Sequence, residues 1–173
     1  TTPDYAIPTY KDIGISSITV LWSSNGNADG TEYECVISTD IYFIEGVIGE
    51  EVWVSTLSKV FTGLEINTRY YARVRAKNVV GVGGTWKTLG SAYTQIQPVI
   101  AVDFEVWYSS VIVKALGVYS NIDKDYSGIV YTAYEDSGYG IIKSSSIIEK
   151  STSSAVVGLN NNTTYWYEVR SYN

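Results

Sequence analysis

One sixteen-residue segment occurs twice in this chain, and this repeat constrains the fold more than any other feature. The first copy spans residues 63–78 and the second spans residues 158–173, an offset of 95 residues with no gap. Gly, Leu, Asn, Thr, Tyr, Val, Arg and Asn recur at matching places. So long a period predicts two copies of one domain rather than a short solenoid unit.

The two copies continue differently. After Asn78 the first copy runs on into a strand-like segment at 85–94, whereas the sequence ends at the Asn173 of the second copy. We place the first domain at 1–95 and the second at 98–173, incomplete after its sixth strand, with Gln95–Pro98 as the linker. The sequence begins with Thr1 and has no apolar run of about 18 residues, so we expect a processed or excised chain without a membrane span.

Charge and composition limit the classes of partner. Residues 1–97 hold 7 basic and 10 acidic side chains, and residues 98–173 hold 5 and 8, so each half carries −3. Without a basic patch, binding to nucleic acid or to an anionic membrane is not expected. The apolar set is mainly Val, Ile and Tyr, with 16 Tyr, 5 Trp and no Met, which is typical of a β-protein.

Catalytic chemistry has few candidates here. The chain has no histidine, which removes the commonest general base and metal ligand. The single cysteine, Cys35, cannot form an intrachain disulfide and is expected to be a buried, inert thiol. We therefore expect no enzymatic activity and no cofactor.

Short alternating or apolar runs bounded by Gly, Asn, Asp and Ser predict an all-β sandwich in each copy. In the first copy we predict strands at 5–13, 16–23, 31–39, 42–47, 51–54, 58–63, 68–79 and 85–94. In the second we predict strands at 99–107, 109–117, 128–135, 140–148, 153–158 and 163–173.

Alternation within the predicted strands assigns their faces. The core row of the long strand is predicted as Tyr70, Ala72, Val74, Ala76 and Asn78. Its counterpart in the second copy is Tyr165, Tyr167, Val169, Ser171 and Asn173. On the third strand Tyr33, Cys35 and Ile37 are predicted to face inward, and Glu32, Glu34 and Val36 outward. An outer row of Arg73 and Arg75 is then expected to pair with Glu32 and Glu34.

The segments 17–22, 31–36 and 63–81 together resemble a fibronectin type III domain. The resemblance covers residues 3–94, and residues 98–173 follow it through the sixth strand. It implies two tandem immunoglobulin-like β-sandwiches whose structural core includes Trp22, Leu64, Tyr70, Val74, Leu159, Tyr165 and Val169. It also implies a tyrosine corner, in which the hydroxyl of Tyr70, and of Tyr165 in the second copy, bonds to backbone at the preceding turn.

Two features depart from the family pattern. The usual Pro of the turn is Ile66 in the first copy and Asn161 in the second. Trp22 aligns with Ala115, so other aromatic residues must fill the second core.

The turn at 25–33 is similar to type III modules of long, repeat-bearing bacterial cell-surface proteins, which implies an extracellular or cell-surface location.

Four further features have a binding and a structural interpretation. Trp53, Trp86 and Trp166 lie off clear core positions and are candidate surface aromatics for a protein or polysaccharide partner. Residues 25–30 resemble half of a calcium loop, but position twelve is Val36, so a turn is favoured and no metal site is predicted. The segment Asp123-Lys124-Asp125 is weaker still. Asn161 and Asn162 begin overlapping glycosylation sequons that the turn itself also explains.

The function implied by the resemblance is a non-catalytic extracellular spacer or adhesion module, with neighbouring repeats or other copies of itself as partners. One alternative is a filament subunit completed by strand donation, for which the assembly edge would be Thr163, Tyr165, Tyr167, Val169, Ser171 and Asn173. Its expected donor is the segment 4–10. The other alternative is an accessory module of a secreted polysaccharide-degrading enzyme. The sequence leaves these three open.

Overall fold

A computed structural model describes residues 1–117, 119–124, 127–146 and 149–173. The chain divides into two compact units, Thr1–Gln95 and Ile96–Asn173. Each unit is a β-sandwich, and the described residues contain no helix.

The first unit has seven strands in two antiparallel sheets. One sheet has the order β1-β2-β5 and the other β4-β3-β6-β7. The strands are β1 (Asp4–Lys11), β2 (Ser17–Ser23), β3 (Tyr33–Ser38), β4 (Trp53–Val54), β5 (Ser58–Thr62), β6 (Arg69–Ala76) and β7 (Lys87–Tyr93).

The core of the first unit lies between these sheets, where alternate residues of each strand meet. On β6 the row Tyr70, Ala72, Val74 and Ala76 is buried, as the alternation predicts. Trp22 and Leu64 are buried with them, and the rings of Trp22 and Tyr33 lie 5.9 Å apart. Burying large aromatic and β-branched side chains is the main favourable term in the stability of such a sandwich.

The second unit has six strands among its described residues. They are β8 (Ala101–Val106), β9 (Ser110–Leu116), β10 (Gly128–Tyr134), β11 (Ile142–Ser145), β12 (Ser153–Val157) and β13 (Trp166–Tyr172). The sheets have the orders β12-β9-β8 and β11-β10-β13. Leu159, Tyr119 and Tyr131 are buried around Ala115, so tyrosines occupy the core that lacks an indole. Tyr165, Tyr167 and Val169 are only half-buried against this core.

Both tyrosine corners implied by the family resemblance are present. The Tyr70 hydroxyl accepts a hydrogen bond from the backbone N–H of Glu65 at 3.1 Å, and the Tyr165 hydroxyl accepts one from that of Asn160 at 2.9 Å. The preceding glycine has φ 71° in both copies, a left-handed conformation that favours glycine. The repeated sequence therefore builds the same turn twice.

Several sequence predictions need correction. The predicted strand at 42–47 is wrong, because this segment forms bends and turns. Asn78 is not a core residue: it is exposed, and its Oδ1 accepts hydrogen bonds from the N–H groups of Val80 and Val82 in the β6–β7 turn. Asn173 is likewise exposed. Most other predicted strands are one to three residues too long, and the end of the strand predicted at 140–148 lies outside the described residues.

The outer face of β3 also differs from the prediction. Glu34 and Val36 were expected to face solvent, yet both are buried. Glu34 is covered by Arg75 of β6 and by the backbone of Glu51 in the connection between β3 and β4.

Candidate binding surface

Cations and aromatic rings alternate across the outer face of the sheet β4-β3-β6-β7. Their order by contact is Phe43, Arg73, Trp86, Arg75, Trp53 and Lys77, a set that we call the cation–aromatic row. The guanidinium carbons of Arg73 and Arg75 each lie 4.4 Å from the ring centre of Trp86. Arg73, Arg75 and Lys77 fall on one face because they are two residues apart on or beside one strand. Each such contact contributes about 0.5–2 kcal/mol, depending on how far water is excluded.

Ion pairs anchor this row to β3. Glu34 lies opposite Arg75 in the β3–β6 register, and its Oε2 is 2.6 Å from both Nε and Nη2 of Arg75. The other carboxylate oxygen accepts a hydrogen bond from the backbone N–H of Glu51 at 2.6 Å. The predicted pairing of Arg75 with Glu34 is thus confirmed, but Glu32 pairs with Lys77 rather than with Arg73.

Of the three cations in the row, Arg73 is the one that has no carboxylate within 4 Å in the described part of the chain. Its Nε–H is buried and has no hydrogen-bond partner there. Burial lowers the pKa of this guanidinium, and the nearby charge of Glu50 opposes that shift. Arg73 is therefore held by ring contacts, between Phe43 and Trp86, rather than by an ion pair.

Residues 39–52, which we call the covering loop, connect β3 to β4 over this outer face. Phe43 points inward onto Arg73, and Ile48 makes a β-bridge to Ile37. A cleft of about 390 Å³ lies between this loop and the strands, lined by Glu34, Glu50, Glu51, Arg73, Arg75 and Trp86. The loop thus closes one side of the cation–aromatic row.

The candidate surface aromatics take different places. Trp53 and Trp86 are half-buried members of the row, with cations over their rings, and Trp166 is half-buried on β13. The sequence pattern did not bring Trp53 and Trp86 together with the arginines, and it missed Phe43 because the loop was predicted as a strand. The spacing of Arg73, Arg75 and Lys77, each two residues from the next, was the sequence pattern that could have predicted a row of cations on one face of the sheet.

The predicted assembly edge lies along β13, which pairs only with β10 among the described residues. Along the predicted row, Thr163 and Asn173 are exposed, whereas Tyr165, Tyr167, Val169 and Ser171 are half-buried. Phe104 of β8 remains 41% exposed while its ring packs 5.2 Å from that of Tyr167. The Tyr167 hydroxyl is buried without a hydrogen-bond partner in the described chain.

The remaining candidate sites have local structural roles. Asn27 in the calcium-like segment bonds through its side chain to Thr1 and to the carbonyl of Ser24. Asp125 of the weaker segment lies outside the described residues. Asn162, which both sequons share, has φ 52°, matching φ 48° at Asn67, so it lies in the repeated turn. Burial raises the pKa of the Cys35 thiol to about 12, so the thiolate is strongly disfavoured.

No group of three or more Cys, Asp or Glu side chains is placed to hold a metal ion in the described part of the chain. No helix long and apolar enough to cross a membrane occurs among the described residues.

Comparison with known proteins identifies the fold. No protein-family model and no curated protein matches the sequence. Among solved structures, the chain is similar to a segment of two fibronectin type III domains from chicken tenascin, with a TM-score of 0.58. The match covers 99% of this chain and 91% of the tenascin segment, at 12% sequence identity. The chain therefore has the fold of a tandem pair of fibronectin type III domains. At such low identity the likeness concerns the fold alone, so the tenascin segment assigns no ligand to either type III-like domain.

Proposed function

We propose that this chain is a non-catalytic spacer and adhesion module of an extracellular, cell-surface protein, and that this protein is bacterial. The tandem repeat of one fibronectin type III-like sandwich carries the proposal, because this fold is commonly used as a non-catalytic module for spacing or adhesion. Two separate cores in one chain suit a spacer, since each domain can resist extension independently.

Single-molecule extension of the chain tests the spacer role. We expect two separate unfolding events, each releasing the extended length of one domain, roughly 33 nm for the first and roughly 27 nm for the second at about 3.5 Å per residue, less that domain's folded length. A chain that extends without resistance, or that unfolds in one event, would contradict an independent pair of spacers. Antibody labelling of intact producing cells tests the location, because a signal that appears only after lysis would exclude the cell surface.

A protein is favoured over a polysaccharide as the adhesion partner. Aromatic residues bind sugars by offering an open ring face, but Trp86 has two guanidinium groups over its ring, and Trp53 has one guanidinium and one ammonium. These contacts leave less ring surface for stacking. The same aromatic and arginine residues are enriched in protein–protein interfaces.

Strand uptake at β13 is a second candidate function, favoured by the half-buried core row beside that edge. In the first domain β7 pairs with β6, and its Leu89 carbonyl accepts a hydrogen bond from the Tyr10 hydroxyl. A strand beside β13 would similarly cover Phe104 and offer a carbonyl to the unpartnered Tyr167 hydroxyl. The expected donor segment 4–10 is paired with β2 in its own domain, so donation requires its release. Concentration-dependent sedimentation supports assembly, and a concentration-independent monomer refutes it.

A further inference from the structure

The connection that follows the third strand is the longest segment between two strands of the first domain. This covering loop has fourteen residues, 39–52. A loop of this length without regular secondary structure in a compact domain usually has a binding role.

The covering loop is held in one conformation by hydrogen bonds and apolar contacts. The Asp40 carboxylate accepts hydrogen bonds from the N–H groups of Tyr42 and Ile44, at 2.9 and 2.8 Å. The Ser38 hydroxyl donates to the Glu45 carbonyl at 2.7 Å. Together with the inward contacts of Phe43 and Ile48, these bonds order the loop before any partner arrives, so binding loses less conformational entropy.

The exposed side chains of the loop include apolar and acidic groups, of which Glu50 and Glu51 lie at the cleft beside Arg73. Ile41, Tyr42 and Ile44 are 54%, 77% and 78% exposed. The carboxylates of Glu45, Glu50 and Glu51 have no ion pair within 4 Å among the described residues. No lysine or arginine occurs between 39 and 52. An exposed apolar cluster with unpaired charges of one sign is complementary to a surface of the opposite sign.

We propose that the covering loop docks a partner protein whose surface is cationic and presents an apolar side chain to Tyr42. A second copy of this chain is a poor occupant, because its net charge of −6 and its own acidic loop repel the first. The proposal rests on the adhesion role and deepens it by naming the surface and the partner's chemistry. Its failure would leave the spacer role intact, because extension measures the two cores and not this loop.

The test titrates the isotope-labelled full chain with a blocked octapeptide of alternating lysine and leucine. Changes in the backbone NMR chemical shifts of the chain report the binding. We expect saturable shifts at residues 40–52 and a dissociation constant about tenfold weaker for Tyr42→Ser, as for loss of an interface anchor. The matched control is Tyr108→Ser, which removes a tyrosine of the second domain that is 84% exposed and should leave binding unchanged. Thermal unfolding of each variant verifies that it remains folded.

A charge-matched pair of variants distinguishes docking at the loop from general attraction to an acidic protein. Changing Glu45, Glu50 and Glu51 to glutamine should weaken binding about tenfold. The control triple variant changes the exposed Asp12 and Asp29 to asparagine and the exposed Glu65 to glutamine. It has the same net charge as the loop variant and should bind the peptide as tightly as the wild type does. Equal weakening by both triple variants, equal binding of octalysine, or shifts that avoid residues 40–52 would each overturn the proposal. Shifts at the loop that appear on raising the protein concentration alone would instead identify a second copy as occupant and also overturn it.

Discussion

Glu34 and Arg75 form an ion pair beneath the covering loop, with the Glu34 carboxylate only 2% exposed and 2.6 Å from two nitrogens of the guanidinium. Arg75→Met should destabilise the first domain by about 3 kcal/mol, because it leaves a buried carboxylate without its countercharge. Chemical unfolding measures this loss. Lys77→Met is the matched control, since it breaks the more exposed Lys77–Glu32 pair and should cost at most about 1 kcal/mol. Equal effects of the two variants would show that burial does not distinguish the pairs.

The tyrosine corners predict a difference between the domains. Tyr70→Phe should cost the first domain about 1–2 kcal/mol, because the Glu65 N–H loses its acceptor in a half-buried turn. Tyr165→Phe should cost less than Tyr70→Phe, because Tyr165 is half-buried whereas Tyr70 is buried, and its hydrogen bond with Asn160 is exposed to water. The melting transition of the first domain in Tyr70→Phe and that of the second domain in Tyr165→Phe give the two losses of stability. A larger loss in the second domain would contradict the burial argument.

The first domain should lose stability in alkaline solution. Burial raises the pKa of the Cys35 thiol from an ordinary 9.0 to about 12 and also raises the pKa of the Tyr10 hydroxyl. Below pH 9 the thiol is protonated in both the folded and unfolded chain, so its contribution to stability is fully present. Between pH 9 and about 12 only the unfolded chain releases the proton, which lowers the free energy of unfolding by about 1.4 kcal/mol per pH unit.

Urea unfolding of wild type and Cys35→Ala between pH 7 and 11 measures this dependence. The variant should be less stable at pH 7, because it leaves a small cavity, yet its stability should fall less steeply above pH 9. The remaining fall, from about pH 10, belongs to the Tyr10 hydroxyl, whose pKa is raised by burial. Parallel curves for the two proteins would mean that the thiol does not stay protonated in the folded domain.

The fold was largely predictable because it depends on local and repetitive signals. The repeat at 63–78 and 158–173, the alternation on β6, and the Leu, Asn-Thr and Tyr of the turn each define one structural feature. These features recur in the second domain with the same hydrogen bond at Tyr165. The alternation of buried and exposed residues along a strand and the residues of a short turn both depend only on neighbouring positions. Both can therefore be recognised directly in the sequence.

The candidate binding surface was less predictable because it depends on side chains from distant segments. Residues 42–47 are rich in β-branched and aromatic types and so predicted a strand, but the Asp40 carboxylate bonds to the backbone and turns the chain instead. The burial of Glu34 follows from the covering loop, which alternation along β3 alone does not reveal. The contact of Arg73 with Phe43 and Trp86 joins residues 30 and 13 positions away, so no local pattern signals it.

Lys59 provides the last prediction, because it links the covering loop to both sheets. Lys59 belongs to β5, and its Nζ donates hydrogen bonds to the carbonyls of Cys35 on β3, at 2.9 Å, and of Gly49 in the loop, at 3.0 Å. Lys59→Met keeps the apolar stem but removes both donors, so the first domain should lose about 1–3 kcal/mol. Hydrogen exchange at 48–52 should accelerate because the base of the loop is no longer tied. Lys11→Met, at an exposed lysine, should change neither quantity. Unaltered exchange at 48–52 in Lys59→Met would show that other contacts, such as the Ile37–Ile48 bridge, hold the loop on their own.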